Sequence, residues 1–158
     1  MLTYLLLKYV HIIGAVVLLG TGAGIAFFML LAHRTGDAAV IAAVARVVVV
    51  ADFAFTASAV VVQPLTGLLL VWYVGYSIWD GWIVFSILLY LVTGAFWLPV
   101  VRMQMRMRDL ATEAMQTGKA LPQEYYRLFR MWFAFGVPAF GSVLLIFWMM
   151  IARPQIGS

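Results

Sequence analysis

The chain contains no cysteine. Disulfides, iron–sulfur ligation, thiolate zinc and a thiol nucleophile are excluded together, and the composition carries no record of the redox compartment. Charge is the second scarcity: Asp, Glu, Lys and Arg make up 10% of the residues, against about 25% in an ordinary soluble domain. Internal repeats and low-complexity tracts are missing too. So is the basic n-region of a signal peptide, because Met1-Leu2-Thr3-Tyr4 opens directly into an apolar run longer than a signal core. That first run is therefore expected to be kept as a helix.

What the chain does have is apolar surface. Hydrophobic residues are 66% of its 158 positions and mean hydropathy is +1.06. A soluble fold of this size would leave much of that surface facing water, so the solvent must be lipid. The net charge of +4 does not point to nucleic acid, because the bases cluster beside apolar runs, where they set membrane topology. The expected fold is all-α, a four-helix transmembrane bundle forming one domain over residues 1–158, multi-pass in a bacterial inner (plasma) membrane.

The spans are expected at about 2–32, 44–73, 82–101 and 131–151, each meeting or exceeding the roughly 20 residues that cross the hydrocarbon. Between the last two lies a polar segment, 102–130, holding Arg102, Arg106, Arg108, Lys119, Arg127 and Arg130. Basic residues near span ends favour the cytoplasm. The same side then receives Arg34 and Arg46, and both termini fall on the non-cytoplasmic side. Trp72, Tyr73, Tyr76, Trp79 and Trp82 crowd the opposite turn like an interfacial belt. Met103, Met107, Leu110 and Ala114 follow a 4, 3, 4 spacing, which extends the third helix with one apolar stripe. Gly118 suits a C-cap, and Pro122 with Glu124 suits a helix start.

Few residues can carry chemistry. Tyr4, Lys8 and His11 share one face of the first helix. Ionisable groups inside a span face the bundle interior or a wet cavity, unless, as a lysine near the interface can, they snorkel outward. His11 is the candidate ligand to a haem iron, or a proton carrier beside a quinone. The only other histidine, His33, lies 22 positions on, roughly 33 Å along the helix, and reads more simply as a helix-end histidine near the dipole's negative terminus. Asp52 is a proton-relay or cation candidate, or else a structural partner for a base such as Arg130. Pro64 frees the carbonyl four residues earlier, for which the Gln63 amide and Thr66 hydroxyl offer compensation, and Gln63 falls near the depth of His11. Gly20 and Gly24 permit close helix packing. Met103, Met105 and Met107 raise copper(I), but helical spacing brings only the outer two together.

The runs Tyr4-Leu-Leu-Leu-Lys-Tyr-Val-His-Ile-Ile-Gly-Ala15, Gln63-Pro-Leu-Thr-Gly67 and Trp97-Leu-Pro-Val-Val-Arg102 resemble a family of small predicted bacterial integral membrane proteins of unknown function. More distantly, Lys8-x-x-His11-Ile-Ile with His33 at the helix end is similar to the membrane protoporphyrinogen oxidase family of bacterial haem synthesis. That second resemblance implies haem binding with Lys8 and His11 at the positions that matter.

The leading functional expectation is a His11-centred pocket, with Lys8, Tyr4 and Gln63, for b-type haem or a quinone-like ligand in electron transfer or oxidoreduction. Two alternatives stay open: a small transporter or proton/ion pathway using Asp52 and Gln63, and an accessory subunit of a larger membrane complex. Close helix packing also makes a homodimer a candidate state. Besides these the expected partner is the lipid bilayer. No residue is marked as catalytic.

Overall fold

In a computed structural model, described over residues 1–156, the chain forms four long antiparallel helices: α1 (Leu2–Thr35), α2 (Ala38–Val74), α3 (Gly81–Thr117) and α4 (Gln123–Ala152). Each is long and apolar enough to cross a membrane. Their ends follow from local chemistry. Gly36, Gly75 and Gly118 close α1, α2 and α3 with positive φ of 66°, 82° and 64°, a conformation that costs a residue with a Cβ. Asp37 opens α2 by accepting from the Ala39 and Val40 amides, which satisfies donors the helix leaves free.

The start of α1 and the end of α4 lie at the end of the bundle that carries the turn between α2 and α3. Tyr4 stacks on Tyr73 at 6.0 Å, and the Arg153 guanidinium donates to the Tyr76 hydroxyl and sits 5.9 Å over the Trp82 ring. This is the terminal end; the opposite one, with the 36–37 and 118–122 connections, is the basic end. At 34 to 37 residues, the first three helices run to roughly 50–55 Å, more than the ~30 Å of hydrocarbon. They therefore project from it.

The hydrophobic core gathers toward the basic end. Met29, Ile41, Met107 and Tyr125 are fully buried there, with Val48, Phe129 and Trp132 packed among them. The Met103, Met107, Leu110 and Ala114 stripe is buried, so Met103 and Met107 fill this core. His33, in the last turn of α1, lies flat on Phe129 with 3.6 Å between centroids and 3.3 Å from Nδ1 to the Tyr125 hydroxyl, tying α1 to α4. Arg106 on α3 pairs bidentately with Glu124 at 2.8 and 2.9 Å. That guanidinium holds the Glu124 carboxyl below the usual carboxylate range, although the pair is open to water and screened.

Toward the terminal end the packing thins. The second half of α2 packs closely on α1 alone, while α3 and α4 stay paired with each other. Leu6, Val16, Leu65, Leu91, Leu145 and Trp148 are exposed on the outer faces, as lipid contact requires.

Replacing Tyr125 by Ala should empty the tightest part of the core and destabilise the protein by roughly 3–5 kcal/mol. Tyr125→Phe should cost about 1 kcal/mol, the hydrogen bond to His33 alone. Unfolding in mild detergent, followed by loss of helical circular dichroism, ranks the two.

Candidate functional site

The best-organised polar group at the terminal end centres on His11. Its side chain is 9% exposed, and its Nδ1 lies 2.8 Å from the Thr66 hydroxyl on α2. Thr66 in turn donates to the Val62 carbonyl at 2.7 Å. A hydroxyl has one hydrogen. Spent on Val62, it leaves Thr66 as the acceptor and His11 Nδ1 as the donor, so the lone pair resides on Nε2. That nitrogen has no hydrogen-bond partner among the described residues.

Two glycines let the helices come this close. A Cβ on Gly67 would stand 3.3 Å from His11 Cε1, and one on Gly14 would stand 2.3 Å from Gln63 Nε2. The Gln63 amide crosses over Gly14 to donate to the His11 carbonyl at 2.9 Å. Both α1–α2 polar contacts therefore meet at one residue.

This arrangement corrects the expected answer to Pro64. The carbonyl that lacks its helical donor is that of Val60, and neither Gln63 nor Thr66 reaches it. Tyr90 of α3 donates to it at 2.6 Å, satisfying the group that proline leaves open. The Thr66 hydroxyl and Gln63 amide are committed to Val62 and His11 instead.

Of the other residues singled out in the first helix, Tyr4 is half-buried against Tyr73, while Lys8 is exposed with Nζ 5.8 Å from the centre of the Tyr4 ring. Lys8 thus leans toward the membrane edge and does not share the burial of His11. Gly20 has no atom within 4 Å of a would-be Cβ, and Gly24 only the Phe28 ring, so neither packs against another helix within this chain. A groove of about 310 Å³, lined by Leu2, Leu6, Val10 and Thr66 among others, runs along the flank of the α1–α2 contact and opens outward from the bundle.

A second polar cluster lies toward the basic end. α2 widens into a π-helical turn over Asp52–Thr56, a form that recurs at functional sites. It turns both Asp52 (3% exposed) and Thr56 (6%) inward. Trp97 Nε1 donates to Asp52 Oδ1 at 3.3 Å. The Trp132 indole can only donate, so the Gln104 amide presents its oxygen to Trp132 at 3.2 Å and its nitrogen to Asp52 Oδ2 at 3.1 Å. The anticipated partnership with Arg130 is not formed. Arg130 is exposed, and no salt bridge reaches Asp52 among the described residues.

Tyr90, Trp97, Gln104 and Trp132 were not singled out from the sequence. Each carried a signal: Tyr90, Trp97 and Trp132 are amphipathic aromatics well away from the interfacial belt, and Gln104 is a polar residue flanking the Met103–Met107 stripe. Among the described residues there is no group of three or more His, Asp or Glu side chains placed to hold a metal ion.

A family model described as predicted integral membrane protein (DUF2269) covers residues 5–154. No curated protein and no solved structure matches the chain.

A double-mutant cycle tests the Tyr90–Val60 bond. Tyr90→Phe should cost roughly 1–2 kcal/mol, because an unpaired carbonyl remains. In a Pro64→Ala background the helix regains its own donor, and the same substitution should cost close to nothing. Equal costs in both backgrounds, measured by unfolding in detergent, would discard this account.

Proposed function

Since the chain belongs to the DUF2269 family of predicted integral membrane proteins, a description that names a location and no reaction, we propose its function from its own residues. It binds a planar redox ligand at His11, either b-type haem or a quinone-like molecule, and serves electron transfer or oxidoreduction in the membrane.

The observation that carries this reading is the hydrogen-bond chain from His11 Nδ1 through Thr66 to the Val62 carbonyl. Metal-binding imidazoles characteristically donate their second nitrogen to such an acceptor, which sets the tautomer and ring orientation. The same lone pair on Nε2 suits a quinol, whose hydroxyl would donate to it. The outward-open groove beside Thr66 would admit an apolar ligand from the side, and the exposed ammonium of Lys8, a turn away, would suit an acidic substituent such as a propionate.

The donor set also bounds the reading. His33 is 22 residues from His11, roughly 33 Å along α1, so the two histidines would not hold one haem together. Within this chain His11 would hold a haem alone or with a methionine, and otherwise together with His11 of a second copy. Bound haem would supply one-electron redox chemistry; His11 would hold the iron, Thr66 would orient the imidazole, and the apolar flanks would exclude water. In this reading the basic end faces the cytoplasm of a bacterial cell and the His11 site lies in the opposite half of its inner membrane.

The test is an absorption spectrum of the detergent-purified protein, oxidised and then dithionite-reduced, with quinone extraction from the same preparation. Haem predicts a Soret band and sharpened reduced bands that His11→Ala abolishes and Thr66→Val weakens. A quinone predicts no Soret band but a stoichiometric extract lost in the same variants. Neither signal, after expression with added haem, refutes the reading.

A further inference from the structure

The Asp52 cluster plays no part in the His11 proposal and lies about 20 Å from it along α2, 14 residues from Thr66. It poses a problem of charge balance. A carboxylate removed from water costs several kcal/mol unless it is compensated. Here the compensation consists of neutral N–H donors: Trp97 from α3 on Oδ1, and Gln104, also from α3, on Oδ2, with Gln104 held in place by Trp132 from α4. None of these groups is ionisable. The charged residues nearest in sequence on the three helices, Arg46, Arg102 and Arg130, are all exposed and make no salt bridge to it.

One more hydroxyl stands beside the carboxyl. Thr56, one turn on and buried, has no other hydrogen-bond partner among the described residues, and its hydroxyl comes within reach of Asp52. It can donate to a carboxylate or accept from a carboxylic acid. A metal cation does not fit, because the indole and amide hydrogens aimed at the carboxyl would repel it. A proton fits: it needs one carboxyl lone pair, and the Thr56 hydroxyl can serve either protonation state.

We propose that Asp52 is a reversible proton-binding site whose occupancy is read by the Trp97 indole directly and by the Trp132 indole through Gln104. On uptake, an O–H bond forms on Asp52 with a proton drawn from water, and the Thr56 hydroxyl turns from donating to the carboxylate to accepting from the new O–H. The carboxyl loses its charge, so the Trp97 and Gln104 bonds fall from charge-assisted to neutral strength, about half. The grip of α2 on α3 loosens accordingly. Loss of the proton to water restores the carboxylate and tightens the network.

Infrared difference spectra of the full chain in detergent, acid minus alkaline, test this directly. A protonated-carboxyl C=O band should grow as pH falls, vanish in Asp52→Asn, and persist in His11→Ala, which separates this site from the redox one. Tryptophan fluorescence should titrate with the same midpoint and lose most of that component in Trp97→Phe, whose indole meets the carboxyl directly. In Thr56→Val, which keeps Asp52 and conserves shape, the midpoint should move to higher pH because the carboxylate loses a hydroxyl donor. A band untouched by Asp52→Asn would overturn the proposal. If Asp52→Asn does not fold, an unchanged midpoint in Thr56→Val would overturn it equally.

Discussion

Hydrocarbon offers no hydrogen bonds, so a polar group inside it finds a partner in the protein or finds none. That constraint organises this bundle, and α2 is where it is felt most. Pro64 opens a carbonyl that Tyr90 must cross from α3 to meet. Gln63 and Thr66 on the same helix hold the backbone and ring of His11, and Asp52 gathers Trp97 and Gln104. Every neighbour of α2 is thus bound to it by a polar contact as well as by shape.

The two halves of the molecule answer to different forces. Where the helices project toward the basic end, water drives apolar side chains together, and the result is a closed core around Met29, Met107 and Tyr125. In the lipid, the tails are as apolar as leucine, and association falls to close packing and hydrogen bonds of about 0.6 kcal/mol each on average. A few such bonds hold the His11 region, which explains why packing thins there and why glycines at 14 and 67 matter: they bring the partners within range.

The architecture was legible because its signals are cumulative. Four apolar runs, the basic 102–130 segment and the glycines after three helices each report on many residues at once, and the 4, 3, 4 stripe announced the extension of α3. The likeness to a family of predicted integral membrane proteins was legible from short runs in the first three helices. The proximity of Gln63 to His11 could be reached by counting depth. What could not be counted was pairing across helices distant in sequence. Pro64 declares that Val60 needs a donor but not which helix supplies it. Asp52 suggested a base because charge is the obvious remedy for charge, whereas the fold surrounds it with indoles and an amide that a one-dimensional reading assigns to the apolar background.

The Pro64–Tyr90 pairing bears on how this chain can change through descent. A proline and a tyrosine 26 residues apart are coupled in one direction. Were the proline lost, the carbonyl would regain its helical donor and keep a lone pair for the hydroxyl, so the tyrosine would become free to drift; were the tyrosine lost first, the open carbonyl would weigh on the protein until the proline followed. Divergent relatives are therefore expected to keep the tyrosine wherever they keep the proline, and to lose the proline first.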